Sequence, residues 1–409
     1  MGFALTLRIF LPFASGYLFA SIFRSINGVI APDLVRDLGL DASGLGFAVS
    51  AFYLGATVLQ IPYGILLDRY DPRRVFATAL CICTVGIVVT ATAHNLATLT
   101  IGRAMIALGT SASAVTSYRI YAMWLPAERL ALFNGLSLAS GGLGVLAGTA
   151  PAEWALGYVD WRQLHFLIAV AVVASAILVV TVVPKKASGR SGGTLGQQIL
   201  GLGAILKHRE FWRVTPMMAA TVGTLGSFSG LWAGPWARDV AGFDDITTAH
   251  VLLMISAALT LGAAFTGPVA SLARRVGLTN MGLAVASAML TACILFVVVL
   301  QWTPSVFAVM ATWFLMSFVA TMNMVVYAAV GPRFPIELAG RLNACLSLSW
   351  MFGAFLIQNI YGIVLDHFPA NGSHYAVEGH RVAASVLLAL IVVSILWYFL
   401  AGVLARRAA

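Results

Sequence analysis

The sequence predicts an all-α membrane protein of twelve transmembrane helices arranged as two pseudo-symmetric six-helix bundles. Three observations point there. The chain has 409 residues, of which 60% are hydrophobic and only 10% charged, with a mean hydropathy of +0.93; an average soluble domain is about 25% charged. Apolar runs long enough to span a bilayer, about 20 residues each, recur along the whole length. The basic residues fall on alternate sides of those runs.

Read in order, apolar runs bounded by charges or Pro/Gly clusters place helices at 9–31, 45–67, 73–93, 97–124, 131–153 and 163–183, then at 211–236, 249–272, 279–300, 304–329, 342–365 and 382–404. The first run is interrupted only by Arg24, is too long for the apolar region of a signal peptide and lacks a small-residue cleavage site, so it is read as a retained helix. The polar interval between the halves carries Lys185, Lys186, Arg190 and a glycine-serine stretch. It divides the chain into a first bundle over 1–183, a linker over 184–210 and a second bundle over 211–409.

Cytoplasmic loops collect Lys and Arg. With the amino terminus inside, seventeen of the 24 basic residues lie in inner segments, four (Arg36, Arg162, Arg238 and Arg381) in outer ones and three in spans. An even helix number then places both termini in the cytoplasm. The net charge of +9 is thereby a consequence of topology, and no nucleic-acid partner is inferred from it. The expected partners are the lipid bilayer and a small molecule, with the chain acting as a monomer.

A weak repeat joins the halves. Pro126-Ala-Glu128 is followed by Asn134, and Pro335-Ile-Glu337 by Asn343, at an offset of 209 residues. Carriers built from two related halves show such symmetry.

The turn between the second and third helices reads Gly64-Ile-Leu-Leu-Asp68-Arg69-Tyr-Asp71-Pro72-Arg73-Arg74. This resembles the signature loop of the major facilitator superfamily of secondary transporters, departing only at Asp71, where that family usually has glycine. The resemblance implies a conformational latch formed by Gly64, Asp68, Arg69, Arg73 and Arg74 at the cytoplasmic face. The corresponding loop of the second half keeps Gly267, Arg274 and Arg275 but has Ser271 in place of the aspartate, which implies a one-sided latch. Gly102-Arg103 resembles the family's fourth-helix arginine motif, giving Arg103 a structural or coupling role. Gly135, Gly144 and Gly148 stand at the spacing of its antiporter motif, although Thr149 replaces the expected proline. Gly142-Leu-Gly144 also mimics a dinucleotide fingerprint, but no strand precedes it and close helix packing explains it better. No cofactor is expected.

Three arginines lie within spans: Arg24, Arg103 and Arg119. A guanidinium at a helix centre costs about 2.5–3.5 kcal/mol on insertion scales, so such residues face a cavity or a partner. No span clearly contains an acidic residue; Glu153 and Asp366 fall at outer helix ends. An anionic substrate group is therefore a candidate for the missing charge. Arg24, with Tyr17 and Asn27 on the same helix, and Arg119 are the candidate binding residues of the first half. Trp232, Asn323, Tyr327, Trp350, Gln358 and Asn359 are those of the second, although helix–helix hydrogen bonds use the same residue types.

The four cysteines lie in apolar runs and read as small buried hydrophobes. His367, His374 and His380 in the last outer loop read as a solvated loop in preference to a metal site. No catalytic motif or soluble domain is present, so an enzyme or receptor is a distant alternative. The expected function is carriage of a small anionic organic solute across the cytoplasmic membrane by alternating access; the alternative is a drug or metabolite efflux antiporter.

Overall fold

The computed structural model describes residues 3–184, 203–303, 305–335, 338–371 and 374–407. Helices follow the apolar runs closely. In the first half they are α1 (Phe3–Ser25), α2 (Asn27–Leu38), α3 (Ala42–Arg69), α4 (Pro72–Ala91), α5 (Leu96–Thr110), α6 (Ala112–Trp124), α7 (Ala127–Ala147), α8 (Ala150–Leu156) and α9 (Trp161–Val182). In the second half α10 (Arg209–Ser227) passes through a π-turn at Phe228–Trp232 into α11 (Ala233–Asp239). There follow α12 (Asp245–Arg275), α13 (Asn280–Val299), α14 (Val306–Met322), α15 (Val326–Val330), α16 (Ala339–Leu365), the short strands β1 (Ala370–Asn371) and β2 (His374–Tyr375), and α17 (Val377–Arg407).

Eight described helices are long and apolar enough to cross a membrane singly, and nine if the bent α7–α8 pair is one span. The other three expected spans coincide with α3, whose Ala42–Val58 stretch is a shorter apolar helix, and with α5–α6 and α10–α11, which are broken at Ser111 and at the π-turn. Local chemistry sets the ends. Asp71 accepts the Arg73 N–H at the start of α4, and Asp160 forms a reciprocal capping box with Gln163 at the start of α9. Gly39 closes α2 at φ 60°, a left-handed conformation that a side chain would resist.

The chain divides into two compact units, one of residues 1–40 with 51–193 and one of residues 41–50 with 194–409. Within the first, α1 packs on α7, and α4 packs on both α5 and α9. Within the second, α10 packs on α16, and α13 on both α14 and α17. In each unit the first expected span thus lies against the fifth, and the third against the fourth and sixth. Small residues allow the closest approaches: a Cβ on Gly86 would meet the Ile106 nitrogen and the Gly102 carbonyl, so α4 and α5 touch through their backbones.

The expected linker 184–210 lies largely outside the described residues, as does Glu337 of the repeat. All four cysteines are free; Cys83 and Cys345 are buried, but Cys81 and Cys293 are exposed on apolar helix faces, so only half of that expectation holds.

Candidate functional site

In the first unit, Arg24 sits in the last turn of α1, where the span breaks. Asn27 stitches the break: its amide donates to the carbonyls of Phe23 and Arg24 at 3.1 and 3.3 Å, while its own carbonyl oxygen is buried without a partner. Arg24 is half-buried, its Nε has no hydrogen-bond partner, and Tyr53 of α3 lies in its field. Two turns earlier Tyr17 faces Tyr118 and Tyr121, and its buried hydroxyl makes no well-formed hydrogen bond. Among the described residues no carboxylate forms an ion pair with Arg24. Arg119, half-buried on α6, is already engaged by a neighbour.

Arg103 is fully buried, and none of its three guanidinium nitrogens has a partner. His165 lies in its field, with Nδ1 donating to the Trp161 carbonyl at 2.7 Å and Nε2 bare. Buried polar groups left in this condition lie where water or a ligand completes them, or where strain serves function.

The glycines of the partial antiporter pattern divide by role. A Cβ on Gly144 would collide with the Leu18 carbonyl, and one on Gly148 with Ser25 Oγ and the Ile22 carbonyl, whereas Gly135 faces open space. Gly144 and Gly148 therefore bring α7 onto the Tyr17–Arg24 stretch of α1.

In the signature loop, the backbone of Gly64 and Asp68 is helical, and the Asp68 side chain lies outside the described part. Arg73 is 7% exposed and donates to the Val180 carbonyl, tying α4 to the end of α9; Arg69 and Arg74 are exposed. Asp71, the departure from the family pattern, caps α4 at 2.9 Å.

In the second unit Trp232 ends the π-turn and is fully buried; such turns are often found at functional sites. Its indole donates to the Gln358 carbonyl at 2.9 Å, and its ring stacks on Tyr361 at 5.1 Å between centroids. The Gln358 amide reaches the Gly46 carbonyl at 3.3 Å, and Asn359 donates to Ser50 Oγ at 2.7 Å. Tyr327 and Ser347 share a hydrogen bond of 2.8 Å, with Trp350 beside them. Asn323 is fully buried and donates to the Ala284 carbonyl at 2.9 Å, a helix–helix tie. Of these candidates, Trp232 bonds to Gln358 and Tyr327 lies beside Trp350, while Asn323 makes a separate helix–helix tie.

Sequence reasoning missed a polar cluster at the far end of α11. Ending that helix at Trp236 left Asp239 in a loop, but the structure carries the helix to Asp239 and buries the carboxylate. Likewise the reading of the histidine loop as solvated fails for His380, which is fully buried against Asp239, because α17 begins at Val377. His367 and His374 are exposed. Among the described residues no group of three or more His, Cys, Asp or Glu is arranged so that it could hold a metal ion.

Comparison with known proteins agrees with this architecture. Residues 13–358 match the Major Facilitator Superfamily profile. An uncharacterized MFS-type transporter of Mycobacterium tuberculosis is 28% identical over 181 residues, 44% of this chain and 26% of that protein. A probable sulfoacetate transporter of Cupriavidus necator is 28% identical over 34% of each chain. A niacin transporter of Acinetobacter baylyi is 28% identical over 37% of this chain and 35% of its own. The matched region thus spans about a quarter to a third of these relatives. Two crystal structures share the fold over nearly the whole chain. A bacterial homolog of the human lysosomal transporter Spinster, inward-facing and unoccupied, has a TM-score of 0.77 at 15% identity, covering 98% of this chain and 97% of its own. The nucleoside transporter NupG has a TM-score of 0.74 at 12% identity, covering 97% and 99%. With the signature loop, the paired helix packing of the two units and a profile match over most of its length, this chain belongs to the Major Facilitator Superfamily.

Proposed function

We propose that the protein is a secondary transporter of a small anionic organic solute, working by alternating access in the cytoplasmic membrane with both termini in the cytoplasm. The observation that carries the anionic reading is Arg24: a half-buried guanidinium within a span, with Nε unpartnered and no carboxylate paired to it among the described residues. Such a charge is costly unless something answers it, and the buried Tyr17 hydroxyl on the same helix adds a donor for the same ligand. Two relatives named for sulfoacetate and niacin, both organic acids, lend support. The orientation rests on the basic asymmetry of the inner segments.

The competing reading is export of amphipathic drugs or metabolites. Gly144 and Gly148, at antiporter spacing and in close contact with α1, favour it. One experiment separates the two. Purified full-length protein is screened by thermal shift against sulfoacetate, nicotinate, benzoate and other small carboxylates and sulfonates, with amphipathic cations alongside, and hits are followed by liposome uptake. Stabilisation and uptake confined to the acids supports the anion carrier; stabilisation confined to the cations overturns it.

A further inference from the structure

Asp239 is the last residue of α11, and its side chain is 2% exposed. One carboxylate oxygen accepts from His374 Nδ1 at 2.8 Å. The other accepts from His380 Nε2 at 2.9 Å and from the Tyr375 backbone N–H at 3.1 Å. His380 is fully buried, and its Nδ1 lies 2.9 Å from the hydroxyl of Tyr361, which is also fully buried. His374, by contrast, is 63% exposed. A line of groups thus runs from solvent at His374 through Asp239 and His380 to Tyr361.

The charged neighbours leave Asp239 to the imidazoles. Arg238, adjacent in sequence, pairs with Asp245 of α12 at 2.7 Å. Arg381 pairs with Glu378 on α17. From α16 the cluster meets Tyr361, while Asp366 after α16 and Asp41 before α3 act on Tyr375 through their fields, and the exposed His367 bonds to the Ile363 carbonyl. Tyr375 lies in the fields of Asp239, Asp366 and Asp41 together, and burial, reinforced by those charges, pushes its hydroxyl above the ordinary tyrosine range, so it stays neutral. Among the described residues no arginine or lysine forms an ion pair with Asp239.

A carboxylate held out of water is costly unless a partner compensates its charge. Here that partner is imidazole, the side chain whose charge changes near neutral pH. With both rings neutral, the site carries one uncompensated negative charge. With one proton added it carries none.

The position of that proton also sets a hydrogen-bond direction. When His380 is neutral with Nε2–H toward Asp239, Nδ1 accepts the Tyr361 O–H. When His380 is doubly protonated, Nδ1–H donates to the Tyr361 oxygen, and the hydroxyl hydrogen must turn elsewhere. Tyr361 stacks on Trp232, whose indole holds the Gln358 carbonyl, and the Gln358 amide in turn reaches Gly46 of α3.

We propose that Asp239 and His380, with His374 as the entry from solvent, form the binding site for a coupling proton, and that its occupancy is transmitted through Tyr361 and Trp232 to the contact between α16 and the start of α3. The proposal rests on the transporter reading but not on the identity of the solute.

The test uses the full-length protein in two arms. First, the chain is labelled with 13C at histidine Cε1, and the His374 and His380 resonances are assigned with His374→Gln and His380→Gln. Asp239→Asn should change the pH response of both resonances, because it removes the carboxylate that both rings face. Resonances that do not titrate, or that ignore Asp239→Asn, overturn the site. Should Asp239→Asn fail to fold, the exposed position serves instead: His374→Gln must displace the His380 titration. Second, Ser43→Cys in proteoliposomes is labelled with an impermeant maleimide, normalised to Phe307→Cys, which is 81% exposed. The ratio should change about threefold or more between about pH 5.5 and about pH 7.5, the range in which imidazole titrates, and should be flat in His380→Gln. A ratio equally pH-dependent in both proteins overturns the coupling. Neither arm requires a substrate, so failure here leaves the anion-carrier reading to its own uptake assay.

Discussion

Asp366 closes the first turn of α3: its two carboxylate oxygens accept the backbone N–H groups of Ala42 and Ser43 at 2.9 and 3.0 Å. These donors belong to a helix start and have no partner within the helix, and a negative charge there also meets the positive end of the helix dipole. Asp41 satisfies a third donor, the Gly44 N–H, at 2.8 Å. Gly362 lets the two backbones meet, since a Cβ there would strike the Ala42 carbonyl. This contact explains why residues 41–50 belong to the second compact unit although the rest of α3 belongs to the first.

Removing that cap should therefore loosen one end of α3. Asp366→Ala is expected to lower stability by about 1 kcal/mol, as lost helix caps do. Asp366→Asn keeps an acceptor but loses the charge and should cost less. Melting of the two variants in detergent checks the order; equal melting of both with the wild type would show that the contact contributes nothing.

The three glycines spaced like the antiporter motif separate cleanly by what surrounds them. Gly144→Ala forces a methyl group into the Leu18 carbonyl, and overpacking of this kind costs about 1–3 kcal/mol. Gly135→Ala meets nothing within 4 Å and should be neutral or slightly stabilising, because alanine suits a helix better than glycine. Melting temperatures of the two proteins, prepared side by side, test the distinction. The opposite order would mean that α7 does not lie against α1 as described.

How far the sequence could be read depended on how locally each feature is encoded. Span positions were legible because twenty apolar residues advertise themselves without reference to anything else. Span ends were not, because hydropathy penalises a charge even when the folded protein has satisfied it. Asp239 and His380 hydrogen-bond each other although they lie 141 residues apart, so each reads alone as a polar loop residue, and only their meeting at 2.9 Å makes both interior. The break at Ser25–Asn27 was hidden for a similar reason, since Asn27 repairs it with side-chain bonds to Phe23 and Arg24. Trp232 and Gln358 were chosen by residue type; their pairing depends on a π-turn that no periodicity announces.

The latch reading of the signature loop rests on Asp68. Asp68→Asn should slow cycling while leaving solute affinity within about twofold, because the loop is remote from the membrane midplane, where substrates of such carriers sit. Asp71→Gly restores the usual family residue but removes the cap on α4, so it should lower melting and leave cycling intact. Turnover and affinity in liposomes, with melting on the same preparations, distinguish latch from cap. Unchanged turnover in Asp68→Asn would end the latch reading.

Topology can be checked without any substrate. Single cysteines placed across 184–210 should react with a membrane-impermeant reagent only after cells are opened, since that segment holds Lys185, Lys186, Arg190, Lys207 and Arg209. Labelling in intact cells would reverse the orientation.

The decisive residue for the substrate class is Arg24. If its guanidinium meets a carboxylate or sulfonate, it contributes a planar fork of donors as well as charge. Arg24→Lys keeps the charge and loses the fork, so binding should weaken substantially while the protein remains folded. Arg24→Ala loses both, and removal of a desolvated charge partner costs about 2–5 kcal/mol, roughly a 30-fold to several-thousand-fold loss of affinity. A purely structural arginine behaves otherwise: both variants melt early, and whatever protein survives binds normally. The unpartnered Nε of Arg24 motivates the first pattern. Affinity for the acid identified in the thermal-shift panel, measured on the same preparations as melting temperature, separates the patterns. Normal affinity in a well-folded Arg24→Ala protein would remove the anion from this site.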